Sequence, residues 1–335
     1  MFERFEPEME PIVQPELGDT ISNFHLLEKL GEGAVAEVFR AEHLETHRQV
    51  AIKVLHSEFC ARMDIVRRFL QERQVVRRAF HPNILDITEV VHGAGHPPFL
   101  IMELLHGEDL GRCLDRRGRL SVQEAVSITE QACSGLEVMH DRNIVHRDLK
   151  PGNIFLVGGD DGYPVVKLLD FGLVKFLYED DPFMRSRPGA FLGTPEYMAP
   201  EQVQSGELSN LVDVYAMGAV LWEMLVGRPP FCGETFQETL RQAMEVDAPP
   251  PSLEVPDAQI PKLLDNLVLR CMAKKPEHRI QSIAQVRKLL AVCLDESPAV
   301  KLSPPPRRGL QPWHYLAGGA AVAGSLGLAL WKFVL

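Results

Sequence analysis

The strongest constraint on the fold of this chain is a pair of polar clusters that occur in a set order near its middle. Residues 146–153 read His-Arg-Asp-Leu-Lys-Pro-Gly-Asn, and residues 170–172 read Asp-Phe-Gly directly after an apolar run. An isolated Asp-Phe-Gly is common by chance and is typical of a turn. Both clusters together, in this order and after a lysine-bearing strand at residues 50–53, are not plausible as a coincidence.

Upstream of the two clusters lies a glycine-containing turn between two predicted strands. Residues 30–38 read Leu-Gly-Glu-Gly-Ala-Val-Ala-Glu-Val, and by itself such a turn is typical of an ordinary β-hairpin. Because a strand and not a helix follows the glycines, the pattern argues against a dinucleotide-binding fold. Lys53 follows on an apolar strand, where a lysine usually faces solvent. The next predicted helix carries Glu72, a candidate ion-pair partner for Lys53.

The spacing of the apolar residues predicts a small β-rich lobe followed by a larger helical lobe, which is an α+β fold. Strands are predicted at 25–30, 37–41, 50–55, 85–91 and 99–104, with one helix at 63–80. Ser121 and Glu124 form a Ser-x-x-Glu capping box, which predicts the start of a long helix. Further helices are predicted at 213–226, 236–245, 260–273 and 283–293.

These motifs resemble the eukaryotic-like serine/threonine protein kinase family, of a bacterial type, from about residue 24 to residue 293. The resemblance continues through residues 193–201, which read Gly-Thr-Pro-Glu-Tyr-Met-Ala-Pro-Glu, and through Arg279. It implies a bilobal fold, with an N-terminal lobe at about 24–105 and a C-terminal lobe at about 106–293. It also implies ATP and Mg²⁺ as cofactors and proteins as substrates. A buried ion pair between Glu201 and Arg279 is expected.

For the nucleotide, the resemblance implies contacts from both lobes. Backbone amides of the glycine turn would cover the phosphates, through Leu30, Gly31, Glu32, Gly33, Ala34, Val35, Ala36, Glu37 and Val38. The adenine would contact Val38, Ala51 and Phe155. Its polar edge would meet backbone groups of Glu103 and Leu105, behind Met102. Lys53 would contact the α- and β-phosphates and would be held in place by Glu72. Ala36 stands where the family has a third glycine, and the loop is still expected to close.

For phosphoryl transfer, the resemblance implies five further roles. Asp148 would accept the proton of the substrate hydroxyl or orient that hydroxyl, while Lys150 would stabilise the γ-phosphate. Asn153 and Asp170 would bind Mg²⁺ through oxygen, the ligand atom that this cation prefers. Thr194 would bridge Asp148 and Lys150 through its hydroxyl group.

Substrate class follows from the same resemblance. Lys150 and the Gly-Thr turn at 193–194 are similar to the serine/threonine branch, and the Ala-Pro-Glu element at 199–201 is absent from small-molecule phosphotransferases. A pseudokinase-like scaffold without phosphoryl transfer is the alternative function, yet Lys53, Asp148 and Asp170 are all present.

Charge and cysteine content narrow the partners and the compartment. The chain has 46 acidic and 35 basic residues, for a net charge of −11, so it lacks the overall field that attracts a protein to nucleic acid. We therefore expect no nucleic-acid partner, although the net charge does not exclude local basic patches. The six cysteines are scattered without a Cys-x-x-Cys pair, which predicts reduced thiols in a cytosolic compartment.

The two ends of the chain differ in character from the region between them. Residues 1–23 are acidic and contain prolines, which predicts a flexible tail and no signal peptide. A proline-rich linker is predicted at 296–312, followed by a single C-terminal transmembrane helix at 314–335. Arg307 and Arg308 before this helix would keep the kinase domain in the cytoplasm. An Ala/Gly-rich helix that packs on the kinase domain is the alternative.

Small residues recur every four positions within the predicted membrane helix, at Gly319, Ala323 and Gly327. Such a stripe lets two membrane helices approach closely, which predicts a homodimer. The stripe is equally compatible with low-complexity filler, so both interpretations stay open.

Overall fold

The computed structural model describes residues 12–93, 95–158, 163–170, 194–204 and 208–295. The predicted linker at 296–312 and the predicted membrane helix at 314–335 lie outside these residues, as do residues 1–11. Among the helices that are described, none is both long enough and apolar enough to cross a membrane.

The N-terminal lobe is an antiparallel sheet with one helix packed on it. Its strands follow the spatial order β1-β2-β3-β4-β6-β5. They are β1 (Thr20–Ile21), β2 (Phe24–Glu32), β3 (Ala36–His43), β4 (Gln49–Leu55), β5 (Ile87–Gly93) and β6 (His96–Met102). Helix α1 (Met63–Arg78) packs against β5 and β6. The two last strands lie two to three residues away from the predicted ranges.

Strand periodicity decides which way Lys53 points. Alternate residues of a strand face opposite sides of the sheet. On β4, Ile52 and Val54 belong to an apolar cluster on one face, whereas Ala51 and Leu55 belong to the main core, which also contains residues of α1. Lys53 therefore lies on the face that α1 covers, rather than on the solvent face that is usual for a lysine.

Residues 12–23 differ from the expected flexible tail, because backbone hydrogen bonds attach them to the sheet. The Gly18 amide donates to the Leu26 carbonyl at 3.0 Å, and the Leu26 amide donates to the Asp19 carbonyl at 2.9 Å. The Gln14 side chain also accepts a hydrogen bond from the Ser57 amide at 2.7 Å. Composition does not predict this attachment, because backbone groups pair with a sheet edge whatever the side chains of their residues are.

The C-terminal lobe is mostly helical. A small sheet of β7 (Gly107–Asp109), β8 (Ile154–Val157) and β9 (Val165–Leu168) lies beside α2 (Leu110–Arg117) and α3 (Val122–His140). The later helices are α4 (Pro200–Val203), α5 (Leu211–Val226), α6 (Phe236–Glu245), α7 (Pro251–Glu254), α8 (Lys262–Cys271) and α9 (Ile283–Asp295). Helix α5 is almost entirely buried and contacts α3 and α8. The capping box of Ser121 and Glu124 is confirmed at the start of α3.

A bidentate ion pair joins the start of α4 to the loop between α8 and α9. Arg279 donates to the two carboxylate oxygens of Glu201 at 2.6 and 2.7 Å, which confirms the predicted pair. The Arg279 side chain is fully buried and also donates to the carbonyls of Ala273, Leu211 and Lys274. All of these bonds together offset the cost of burying the charge.

We predict that Arg279→Met lowers the free energy of unfolding by about 3–5 kcal/mol, because it leaves the Glu201 carboxylate without its buried partner. Urea denaturation followed by circular dichroism measures the change. Arg241→Met is the matched control, because Arg241 is about half exposed and its partner Glu245 lies 3.5 Å away. Equal, small losses in both variants would contradict the structural role of Arg279.

Candidate active site

A cleft of about 730 Å³ lies between the two lobes. That volume is within the range of pockets that hold small ligands. Nearly all residues predicted to bind the nucleotide line it. These are Leu30, Gly31, Glu32, Gly33, Ala34, Val35, Ala36, Val38, Ala51, Lys53, Met102, Glu103, Leu105 and Phe155. The cleft also contains Glu72, Asp148, Lys150, Asn153, Asp170 and Thr194. The predicted site residues therefore converge on one place.

Glu37 is the exception among the predicted nucleotide contacts. Its carboxylate accepts hydrogen bonds from Lys29 at 2.7 Å and from Gln14 at 3.2 Å, and the residue does not line the cleft. The predicted contact of Glu37 is made through its backbone amide, and it stays a prediction. Sequence reasoning also missed Leu85 and Leu169, apolar residues that line the cleft.

Lys53 lies between two carboxylates. Its Nζ is 3.1 Å from Glu72 Oε1 on α1 and 2.5 Å from Asp170 Oδ1, so the expected Lys53–Glu72 pair is present. Burial favours the neutral amine, but the charges of Asp170 and Glu72 outweigh it and raise the pKa of Lys53. Burial of Glu72 raises the pKa of that carboxyl group. For Asp170, desolvation is outweighed by the charge of Lys53, so its pKa is lowered. Lys53 is therefore held as a cation.

Two residues of the polar clusters have left-handed backbone conformations. Arg147 has a φ of 67° and Asp170 has a φ of 45°, values that residues other than glycine rarely adopt. Such strain is found where surrounding contacts specify a functional geometry. The Asp170 side chain remains 53% exposed, so its carboxylate is accessible from the cleft.

Asp148 and Asn153 are hydrogen-bonded to each other. The Asn153 side-chain amide donates to the Asp148 carbonyl at 2.7 Å and to Asp148 Oδ2 at 3.0 Å. Lys150 Nζ lies 3.8 Å from the same Oδ2. The side-chain nitrogen of Asn153 donates to Asp148, so its side-chain oxygen remains available to bind a metal ion. An oxygen ligand fits a cation such as Mg²⁺. Within the described residues, Thr194 lies in the cleft without a hydrogen bond to Asp148 or Lys150, so its bridging role stays a prediction.

Asp213 on α5 anchors the loop that carries Asp148, a role that sequence analysis did not assign. Its carboxylate accepts hydrogen bonds from the amides of His146 and Arg147 and from the His140 side chain, each at 2.8 Å. Burial would raise the pKa of Asp213, but these bonds and the two histidines lower it. The sequence signal that could have revealed this role is the carboxylate of Asp213 within an otherwise apolar helix, because a buried charge requires partners.

The His146 side chain connects this loop to the segment that ends in Asp170. Its Nε2 lies 2.9 Å from the carbonyl oxygen of Leu169. Since a carbonyl oxygen only accepts, Nε2 is the donor, and Nδ1 is left to accept from the Asp148 amide at 3.4 Å. The buried imidazole thus sets the spacing between Asp148 and Asp170.

Residues 24–290 match the protein kinase domain family. Serine/threonine-protein kinase Pkn1 of Myxococcus xanthus is 38% identical over 294 residues, covering 87% of this chain and 41% of that protein. Serine/threonine-protein kinase PkaA of Streptomyces coelicolor is 37% identical over 270 residues, covering 77% of this chain and 48% of that protein. This chain spans less than half the length of these two relatives.

Solved structures agree with the sequence comparison. The crystal structure of the Mycobacterium tuberculosis PknI kinase domain aligns with a TM-score of 0.63 at 24% identity, covering 83% of this chain and 99% of that one. Rad53 in complex with AMP-PNP aligns with a TM-score of 0.65 at 27% identity, covering 79% of this chain and 64% of that one. The chain therefore belongs to the protein kinase domain family. Pkn1 and PkaA are bacterial serine/threonine-protein kinases, which confirms the predicted family. The family match and the alignment with PknI confirm the predicted bilobal kinase fold.

A partly buried acid close to the site gives a pH-dependent prediction. The Tyr197 hydroxyl donates to Glu223 Oε2 at 2.6 Å. Burial, together with the negative charges of Glu196 and Asp115, raises the pKa of Glu223 from 4.5 to about 7, although the bond from Tyr197 acts to lower it. The stability that this group contributes is therefore complete below about pH 4.5 and is lost as the pH rises through about 7.

We predict that Glu223→Gln, which still accepts the Tyr197 bond but does not titrate, reduces the pH dependence of stability. Its free energy of unfolding should fall less than that of the wild type between about pH 5 and about pH 8. Urea denaturation at both pH values measures the two falls. Equal falls in the two proteins would show that Glu223 does not titrate in this range.

Proposed function

We propose that this chain transfers the γ-phosphoryl group of Mg-ATP to serine or threonine hydroxyls of protein substrates, in a signalling role. The observation that carries the proposal is the convergence of two arrangements in one cleft. One is Lys53 between Glu72 and Asp170, and the other is the bonded pair of Asp148 and Asn153. Together they provide positive charge, oxygen ligands and a proton acceptor, which are the parts that phosphoryl transfer needs.

The charged residues of the N-terminal lobe would position the nucleotide. Lys53 is kept cationic by its two carboxylate neighbours, so it would supply a positive charge to the α- and β-phosphates. Glu72 would hold the lysine in that position from α1. Asn153 and Asp170 would hold Mg²⁺, a hard cation whose charge offsets that of the transferring phosphoryl group.

Asp148 would act on the substrate hydroxyl. Its carboxylate would accept the proton or orient the hydroxyl for attack, and the bond from Asn153 restricts its position. Lys150, whose Nζ lies 3.8 Å from that carboxylate, would stabilise the γ-phosphate. Thr194 would close the site by bridging these two residues once substrate is bound.

We predict that Asp148→Asn lowers kcat by about 10²–10⁴-fold, the usual contribution of a positioned acid or base, while the Kd for ATP changes little. Nucleotide binding persists because the residues that line the cleft around the phosphates are unchanged. Steady-state kinetics and isothermal titration calorimetry provide the two numbers. Asp64→Asn is the control, because Asp64 is exposed and pairs with Arg62 on the surface.

Two outcomes would contradict this assignment. Wild-type turnover in Asp148→Asn would remove Asp148 from the reaction. A wild-type protein that binds ATP but transfers no phosphate would instead support the pseudokinase-like scaffold.

We also propose that residues 314–335 anchor the protein in a membrane as a single helix, with the kinase domain in the cytoplasm. Support comes from the absence of charged residues at 316–331, from aromatic residues at both edges, and from Arg307 and Arg308 on the kinase side. The small-residue stripe in this segment supports a homodimer of such helices.

If the anchor exists, the full-length protein should stay in the membrane pellet after an alkaline carbonate wash. A chain that ends at Pro306 should move to the supernatant, because it lacks the apolar segment. Immunoblotting of both fractions makes the comparison. Full-length protein that washes into the supernatant would contradict the anchor.

A further inference from the structure

The turn that joins β2 to β3 is held at its tip by His56, the residue that follows β4. The His56 amide donates to the Val35 carbonyl at 2.9 Å, and the imidazole Nε2 lies 3.0 Å from the Gly33 carbonyl oxygen. Because a carbonyl oxygen only accepts hydrogen bonds, Nε2 must carry a proton and donate it. One residue outside the turn therefore holds two of its carbonyl groups.

The contact with Gly33 determines the direction of the next amide. In a planar trans peptide the C=O and N–H groups point in opposite directions. When the Gly33 carbonyl points at His56, the N–H of Ala34, which shares that peptide group, must point away from the imidazole. Neither the Ala34 nor the Val35 amide has a hydrogen-bond acceptor among the residues that the structure describes. These N–H groups are therefore available to a ligand.

The turn lines the cleft, but the imidazole does not. Gly33, Ala34 and Val35 line the cleft, whereas His56 is not among its lining residues. We propose that His56 is a positioning residue for nucleotide binding, because it orients the Gly33–Ala34 peptide so that the Ala34 N–H faces the phosphates. The inference rests on the proposed use of ATP, and it adds a residue that lies outside the family motifs identified in the sequence.

Because residue 33 is glycine, the peptide group that follows it needs a partner that fixes its orientation. Glycine has no Cβ and adopts conformations on both sides of φ = 0, so the peptide that follows it rotates easily. Without a hydrogen-bond donor to the Gly33 carbonyl, this peptide group could rotate and turn its carbonyl oxygen towards the phosphates. Two negative groups would then face each other. An N–H at the same place instead provides a hydrogen bond to a charged group, which is among the stronger kinds.

The position of His56 is itself supported from the other side. The amide of the next residue, Ser57, donates to Gln14 Oε1 at 2.7 Å. Gln14 Nε2 in turn donates to Glu37 Oε2 on β3 at 3.2 Å. The N-terminal segment thus links the chain around His56 to the strand that leaves the turn, which limits movement of the imidazole relative to Gly33.

The test compares His56→Leu with His56→Gln in the full-length protein. Leucine removes the donor, whereas the glutamine side-chain nitrogen has about the same reach as imidazole Nε2. We expect His56→Leu to weaken Mg-ATP binding by about tenfold, the effect of losing one hydrogen bond to a charged group. Adenosine, which has no phosphates, should bind both variants like the wild type. His56→Gln should keep wild-type affinity for Mg-ATP, and kcat at saturating ATP should be unchanged in both variants.

Calorimetric Kd values for Mg-ATP and adenosine decide the matter. Wild-type Mg-ATP affinity in His56→Leu would overturn the inference, and so would an equal loss for Mg-ATP and adenosine, which indicates general damage to the cleft. If His56→Leu does not fold, His56→Asn replaces it with the same expectation, because its shorter side chain does not reach Gly33. A wild type that binds Mg-ATP without transferring phosphate would contradict the proposed function alone.

Discussion

The site depends on one buried lysine that is shared by two carboxylates. Lys53 comes from the central part of the N-terminal sheet, Glu72 from the helix that covers the sheet, and Asp170 from the segment after β9. A buried charge is costly unless partners surround it, so the three elements are stable together only in this arrangement. Correct placement of α1 and of Asp170 is therefore a condition for a charged Lys53 in the cleft.

In the C-terminal lobe, buried ionic side chains surrounded by hydrogen-bond partners occur at two further places. Asp213 holds the loop that carries Asp148 through two backbone amides, and Arg279 holds Glu201 together with three backbone carbonyls. Asp213 on α5 thus fixes the loop that carries Asp148, and Arg279 fixes its own loop, between α8 and α9, to helix α4. Such segments are otherwise mobile, because they have few apolar contacts of their own. Buried charges thus fix the positions of these two loops.

Sequence patterns predicted what depends on residue type and spacing. The Lys53–Glu72 pair and the capping box of α3 follow from charges or caps at characteristic positions, whereas the Glu201–Arg279 pair was implied by the family resemblance. Patterns did not predict contacts in which the partner is a backbone group. The bond between Gln14 and the Ser57 amide and the anchoring role of Asp213 both depend on which amides lie beside these side chains in the folded chain. Strands of three or four residues, such as β7, are too short for an apolar period to be detected.

The central claim is that this cleft transfers phosphate from ATP to protein hydroxyls. Its most direct test is to incubate the full-length wild type with γ-labelled ATP, Mg²⁺ and a generic basic protein, and then to identify the labelled amino acids. The account predicts labelled phosphoserine or phosphothreonine, and no label when EDTA removes the Mg²⁺. A folded protein that binds ATP but transfers no label, or that labels only tyrosine, would contradict it.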